Sequence, residues 1–423
     1  MRIPRDGYRA AYTSLTVGAT LALLAGGFGC ASCPCYEDRN WRELSTQNFR
    51  LRTDLGAEQA RAQLEELEMF RAALLTTFRA PPTTPTGQVP VVVLDAGWGA
   101  VGGPLLHGIF ARMLFTQQIA MRASSKLLTQ IVVKHELVHY LGSFVRPSDP
   151  RWLAEGLAKY FETLDISDDY RLVTVGRPDP QDVKLLQRWG IISVGDMLSG
   201  NDYANRPILF QSSAWLLVHY LMNHRHEAFR SYLKALVTSI NGTQAWTASF
   251  GDLTPEQLDD ELKHYFDGGQ YYVYKFPFLP PQVQITEDRA LTPADAHATR
   301  ALLYAAVSRR IRSDLLPNTS DDLRACAHQE LALAFRDDAQ HTLGLAVKTW
   351  ELGEEIEVAH AQKSADRAAT DWMAWWLLAT TLRRHGIDDQ RAVMAEQRAA
   401  SLAAGNPAIE LKVVRYQKQG GPL

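Results

Sequence analysis

Two histidines four residues apart, with a glutamate directly after the first, constrain this chain more than any other feature. On a helix, His135 and His139 lie one above the other on one face, roughly 6 Å apart along the axis. Both imidazoles can therefore bind one metal ion. Zinc suits such a pair because it accepts neutral imidazole nitrogen, and a catalytic zinc site takes three protein ligands and leaves the fourth position to water. The sequence predicts a site for one Zn²⁺ ion.

The third ligand has to come from another segment of the chain. Glu155 is the best candidate, because it lies in a second predicted helix, from Pro150 to Leu164, that follows a turn. Glu162 is the alternative ligand, seven residues later on a similar helical face; we predict that it instead holds a histidine ring or caps a partner. Glu136 is rotated away from the ligand face but stays beside the metal, where its carboxylate can take a proton from water. We therefore predict that Glu136 is the general base.

The helix that carries the two histidines is predicted to be buried. It runs from about Ser124 to Leu141, with Gly142 in the C′ position that ends it. An unpaired Glu136 would be costly in an apolar setting, which argues against an accidental match on a structural helix. The apolar residues on its other face are Leu127, Leu128, Ile131, Val132, Leu137 and Leu141.

Two segments, HELVHYLG at 135–142 and WLAEGLAKYFE at 152–162, resemble the zinc-binding core of the gluzincin metallopeptidases. The resemblance is to the bacterial peptidase MA-like group, whose second segment reads Trp-Leu-x-Glu-Gly. It is specific over residues 127–164 and looser over residues 41–276. It implies His135, His139 and Glu155 as zinc ligands, Glu136 as the base and a peptide or protein as the substrate.

The chain departs from this family pattern at one position. Many gluzincins have a tyrosine, on a helix after the third ligand, that stabilises the tetrahedral oxyanion, and here Phe210 occupies the corresponding place. Tyr203, Tyr220 and the pair Tyr271–Tyr272 are other possible hydroxyl donors, and the sequence does not choose among them. His219 is more often a satisfied core residue than a contact to substrate.

The hydrophobic patterns around the motif predict an α+β fold with a small N-terminal sheet and a mainly helical zinc-peptidase lobe. Residues 110–115 form a candidate edge strand that would accept the backbone of a substrate, or else are plain core residues. Thr254 is a predicted N-cap. The predicted strands are 48–53, 89–94 and 110–115, and the other predicted helices of this lobe are 57–78, 211–223, 229–240 and 255–266.

A second domain is predicted after residues 271–285, a stretch rich in aromatic residues and prolines. Residues 293–423 are Ala-rich and predicted to be all-α. The run 374–379 resembles a tetratricopeptide-type helical hairpin, and an unrelated helical bundle is the alternative. Such a domain is a candidate for binding a protein partner. The first domain spans residues 41–276.

Residues 1–29 have the features of a secretory signal, with three arginines ahead of an apolar run that is too short for a comfortable membrane span. The end of this segment, Gly26 to Cys30, resembles a bacterial lipobox, so Cys30 is a candidate lipid anchor. Ordinary cleavage, with a disulfide among Cys30, Cys33 and Cys35, is the competing prediction. We expect an exported protein of the cell envelope, either a membrane-anchored lipoprotein or a periplasmic or secreted protein.

The net charge of −3, with both signs interspersed, does not indicate nucleic acid as a partner. The function predicted from the sequence is therefore that of an exported zinc metallopeptidase. The alternative is a non-catalytic surface lipoprotein in which the same core binds metal or peptide and the helical C-terminal domain recruits a partner.

Overall fold

A computed structural model provides the structure, and it describes residues 40–78, 88–96, 101, 108–112, 117–123, 126–145, 149–237, 241–251, 253–309, 320–387 and 389–403. The predicted signal segment and Cys30 lie outside these residues, as do positions 113–115 of the candidate edge strand. Within the described ranges the fold is α+β, as predicted from the sequence. A small mixed sheet comes first and a helical region comes last.

The N-terminal sheet has six strands, in the order β4-β5-β3-β2-β1-β9. Strands β2, β3 and β5 are parallel to one another, whereas β1, β4 and β9 are antiparallel to their neighbours. The predictions of strands at 48–53 and 89–94 are confirmed. The strand bounds are β1 Arg42–Ser45, β2 Phe49–Thr53, β3 Val89–Leu94, β4 Gly108–Arg112, β5 Gln117–Arg122 and β9 Glu287–Ala290.

This sheet has a hydrophobic core on each of its faces. Val91 and Val93 point into one core, together with the helices that follow β2 and β5. Val92 and Leu94 point into a second core that is formed with the C-terminal helices. Because successive side chains of a strand point to opposite faces, a strand that is covered on both sides has to be apolar throughout, as β3 is.

The helices that follow β2 and β5 form the larger lobe, together with a second sheet of three antiparallel strands, β6 Asp165–Ile166, β7 Leu172–Val175 and β8 Tyr274–Pro277. Thr254 caps the last of these helices through a capping box, so that prediction is confirmed. The helix bounds are α1 Ala57–Thr77, α2 Lys126–Val145, α3 Arg151–Glu162, α4 Pro180–Trp189, α5 Val194–Ser199, α6 Pro207–His224, α7 His226–Val237, α8 Gly242–Phe250 and α9 Pro255–Gly268.

Two glycines have different roles near the motif. The prediction that Gly142 ends the motif helix is wrong, because α2 continues to Val145. A glycine inside a helix costs only about 1 kcal/mol, and here the buried Tyr140 and Leu141 anchor that turn in the core. Gly156 is required by packing, since a Cβ at this position would lie 2.5 Å from the carbonyl oxygen of Ala214. This close approach sets the spacing between α3 and α6.

The chain after residue 278 returns to the first sheet before it becomes helical. Strand β9 pairs with β1, and the following helices cover the face of the sheet opposite to α1 and α2. Helices α10 and α11 pack against each other, as do α14 and α15. Whether these pairs are tetratricopeptide-like stays a prediction. The bounds are α10 Pro293–Ser308, α11 Ser320–Asp337, α12 Thr342–Ala346, α13 Val358–Arg367, α14 Trp372–Arg384 and α15 Asp389–Ala403.

Within the described ranges, none of the helices combines the length and the apolar character needed to cross a bilayer.

Candidate metal centre

The structure brings His135, His139 and Glu155 together. The two Nε2 atoms are 3.0 Å apart, and Oε2 of Glu155 lies 3.6 Å from each of them. A tetrahedral zinc ion with bonds of about 2.0–2.1 Å separates its ligand atoms by about 3.3–3.4 Å. The three distances bracket that spacing, and two imidazoles with one carboxylate are a donor set found in catalytic zinc sites. These residues therefore fit a single metal ion.

Helix α2 positions the histidines because its opposite face is fixed in the core. Val133, Leu137 and Tyr140 are buried there. Phe110 of the edge strand β4 stacks on His139, with ring centroids 6.4 Å apart, and meets Tyr140 edge-on. The helix therefore cannot rotate without losing these contacts, and its remaining face turns both imidazoles towards α3.

Glu162 lies on the far side of the His135 ring from the other two ligand residues. Its Oε1 atom is 2.6 Å from Nδ1 of His135. When Nδ1 donates its proton to this carboxylate, Nε2 keeps a free lone pair that faces His139 and Glu155. Glu162 therefore supports the His135 ring and is not one of the three residues that supply the candidate ligand atoms.

Hydrogen bonds between the histidines and the carboxylates dominate the electrostatics of this cluster. Burial alone would lower the pKa of His135, but hydrogen bonds with Glu155 and Glu162 outweigh this effect and raise it to about 10. Burial likewise opposes ionisation of Glu155, yet its hydrogen bonds with His135 and His139 hold the pKa of this carboxyl well below its usual range. Metal binding at these residues should release protons, because imidazole and carboxylate bind metal in their deprotonated forms.

Besides the two histidines, Gln211 and Arg151 contact Glu155. The Gln211 amide donates to Oε2 over 2.9 Å, and Nη1 of Arg151 lies 3.5 Å from Oε1. The Arg151 guanidinium also sits 4.5 Å above the ring of Tyr203. Sequence reasoning missed Gln211 altogether, and the signal for Arg151 was only its spacing of four residues from Glu155.

Tyr203 lies at this cluster, under the Arg151 guanidinium, where its hydroxyl interacts with the carboxylate of Glu155. Burial and the charge of Glu155 raise the pKa of Tyr203 to about 12, so this hydroxyl keeps its proton at neutral pH. Glu136 follows His135 on α2, and the charge of this half-buried carboxylate acts on both Tyr203 and His135.

The other tyrosines considered from the sequence contact residues outside this cluster. Tyr220 donates to Glu261, and Tyr271 packs against Trp215. Phe210 is buried and meets the ring of Tyr203 edge-on, with centroids 5.4 Å apart, so it supports the tyrosine.

His219 is a fully buried residue whose ring is satisfied. Its Nδ1 atom is 2.7 Å from the hydroxyl of Tyr265, and its Nε2 atom is 3.0 Å from the carbonyl oxygen of Gly176. This is the core role that the sequence favoured.

Residues 131–241 match a protein family that is described as "Protein of unknown function (DUF1570)". The match begins in α2 and ends after α7, so it contains the three candidate ligand residues together with Glu136, Glu162, Tyr203 and Gln211. No curated protein matches the chain.

We expect the loss of any candidate ligand to weaken zinc binding more than the loss of Glu162 does. His135→Ala, His139→Ala and Glu155→Ala should each weaken zinc binding by orders of magnitude. Glu162→Ala should cost only about 10–100-fold, because it removes support for a ligand and not a ligand. Zinc content after dialysis and chelator competition measure this. Glu330→Ala, at a buried carboxylate of the other core, is the control. Wild-type zinc affinity in Glu155→Ala would exclude Glu155 as a ligand.

Proposed function

We propose that this chain is an exported zinc-dependent metallopeptidase of the gluzincin type. The observation that carries the proposal is the convergence of three donor atoms at spacings of 3.0, 3.6 and 3.6 Å, with Glu136 directly after His135 in the chain and Tyr203 at Glu155. Metal-assisted hydrolysis needs these three kinds of group: ligands that leave a position open, a base for water, and a donor for developing negative charge.

When bound, a zinc ion supplies a Lewis acid and lowers the pKa of a coordinated water. The side chains of the protein move the protons and stabilise the charge. Glu136 takes a proton from the attacking water as the new bond to the scissile carbonyl carbon forms. It then passes that proton to the nitrogen of the leaving amine as the C–N bond breaks. Tyr203 donates a hydrogen bond to the oxygen that gains negative charge.

Strand β4 is the element best placed to hold an extended peptide. Within the described residues it is the edge strand of the six-stranded sheet, and an extended peptide can add to an edge strand through backbone hydrogen bonds. It lies against the ligand helix, since Phe110 stacks on His139 and a Cβ at Gly108 would clash with Val132. A peptide strand added here would run beside the candidate centre.

A second candidate is a non-catalytic surface protein that binds metal or peptide, with the C-terminal helices as its docking region. Phe210 favours this candidate, because a phenylalanine occupies the place where the family tyrosine is expected. Tyr203 weighs against it, since a hydroxyl reaches the cluster from the neighbouring segment.

Export to the cell envelope is part of the proposal. It rests on the signal-like residues 1–29 and on Cys30, the candidate for lipidation. Cys326 on α11 is disulfide-bonded, which suits the oxidising conditions outside the cytoplasm.

Glu136→Gln separates the enzyme from the binding protein. The amide keeps the size of the side chain but cannot accept the proton, so peptide cleavage should fall by about 10²–10⁴-fold. Zinc content and peptide affinity should stay close to wild type. A peptide library, digested with and without chelator, measures the loss. If wild type and variant bind the same peptides and neither cleaves them, the binding protein is the correct reading.

Tyr203→Phe tests the hydroxyl donor. We expect kcat/KM to fall by about 10²–10³-fold, the usual cost of one lost oxyanion donor, with zinc affinity little changed. Tyr220→Phe is the matched control, because that hydroxyl bonds Glu261, and it should cleave peptides at the wild-type rate. Equal activity in Tyr203→Phe and wild type would remove Tyr203 from the mechanism.

Cys30→Ser tests the lipid anchor. If Cys30 is acylated, wild-type protein should partition into the detergent phase and the variant into the aqueous phase, since each buried CH₂ contributes about 0.8 kcal/mol. Cys33→Ser is the matched control and should partition as wild type does. Wild-type protein that stays aqueous would contradict lipidation.

A further inference from the structure

Behind His135, a line of buried polar side chains runs from α3 to α4 and α6. Lys159 stands between two carboxylates: its Nζ atom is 2.6 Å from Oε2 of Glu162 and 3.1 Å from Oδ2 of Asp182. The other oxygen of Asp182 accepts a hydrogen bond of 2.6 Å from Ser212. Both oxygens of Glu162 and both oxygens of Asp182 therefore have a partner.

The line ends next to the other side of the candidate centre. Ser212 follows Gln211 on α6, and the Gln211 amide donates to the ligand oxygen of Glu155. The polar contacts thus begin at His135 and end at Ser212. Its neighbour Gln211 contacts Glu155. The two ligand residues come from different helices, and α6 is tied to both of them.

Stability alone is a weak reason for such an arrangement. Glu162, Asp182 and Ser212 are all buried, and the Lys159 side chain is only 13% exposed. Burying charges costs desolvation that their attraction often does no more than offset, so apolar residues of similar size would hold these helices together as well. Two carboxylates that share one ammonium group also repel each other.

The position of Glu162 supplies a physical reason for the arrangement. Glu162 is the last residue of α3. A carboxylate there faces the negative end of the helix dipole, and a terminal residue is easily displaced. Lys159, one turn earlier, neutralises this carboxylate and fixes its second oxygen. Asp182 in turn fixes the lysine from a separate helix.

We propose that Lys159 and Asp182 are positioning residues for the metal centre: through Glu162 they fix the direction in which Nε2 of His135 points. The inference rests on the proposed function only for the existence of the metal site, not for peptide cleavage. Neither residue touches the metal or the substrate. Their contribution is the geometry of one ligand.

The experiment compares the full chain with Lys159→Met, Lys159→Arg and Asp182→Asn. The matched control is Arg300→Met, because Arg300 forms an equally buried pair with Glu330, 2.5 Å apart, in the other hydrophobic core. Zinc affinity is measured by competition with a chromophoric chelator. The visible absorption of the Co²⁺-loaded protein reports ligand geometry, and the melting temperature of the metal-free protein reports stability.

Lys159→Met should weaken zinc binding by about 10–100-fold and alter the Co²⁺ bands, as expected for lost support of a ligand. Asp182→Asn should weaken it by a smaller factor, and Lys159→Arg, which keeps the charge, should restore most of the affinity. Arg300→Met should lower the melting temperature and leave both metal readouts unchanged. If Lys159→Met does not fold, Asp182→Asn and Lys159→Arg decide the question.

Wild-type zinc affinity and Co²⁺ bands in Lys159→Met and Asp182→Asn would overturn the inference while leaving the proposed peptidase intact. An equal loss of zinc in Arg300→Met would also overturn it, because the effect would then be one of stability. A wild-type chain that binds no zinc would overturn the inference and the proposed function together. If the wild-type chain binds zinc but cleaves no peptide, and Lys159→Met and Asp182→Asn bind zinc more weakly as predicted, the inference is supported and the peptidase is rejected.

Discussion

The lobe depends on one constraint: charged side chains that are enclosed between helices repel one another and lose their hydration. His135, His139, Glu155 and Glu162 meet between α2 and α3, with less than a sixth of each side chain exposed. Isolated charges in such a place would be too costly to keep. Each of these groups is therefore paired, and Lys159 and Arg151 bring positive charge to the outer carboxylate oxygens. A bound cation would attract the carboxylates further, so metal binding and stability should be linked.

The helices can enclose this cluster because their backbones approach closely. Gly156 lets α3 lie against α6 at the carbonyl of Ala214, one helical turn from Gln211. With any larger residue the two helices would separate, and the Gln211 amide would no longer reach Glu155. Gly156, which follows the candidate ligand Glu155, is thus part of the site, although it has no side chain to take part in chemistry.

The six-stranded sheet joins the two halves of the chain. One face carries the helix with the two histidines, and the other face carries the C-terminal helices. Strand β9 enters the sheet beside β1, and Arg289 on it pairs with the buried Glu43. The helical region therefore completes the core of the sheet, while β4, whose Phe110 stacks on His139, is the edge strand at the other side of the sheet within the described residues.

Much of this arrangement was predictable from local sequence. The spacing of His135 and His139 places them on one face of any helix, and alternating or continuous apolar runs predict β2 and β3. Thr254 marks the start of its helix, because its capping box involves only neighbouring residues. Such features are local, because they depend on backbone periodicity and on groups a few residues apart.

Only the tertiary structure decided which distant residues meet. Tyr203, Tyr220 and Tyr271 are equivalent in sequence, and packing alone brings the first to Glu155 and the others to different partners. The contacts of Lys159 with Asp182, of Gln211 with Glu155 and of β9 with β1 span from 23 to 248 residues. No periodicity marks such pairs, because a buried charge is satisfied by whichever partner the packing of the helices brings within reach.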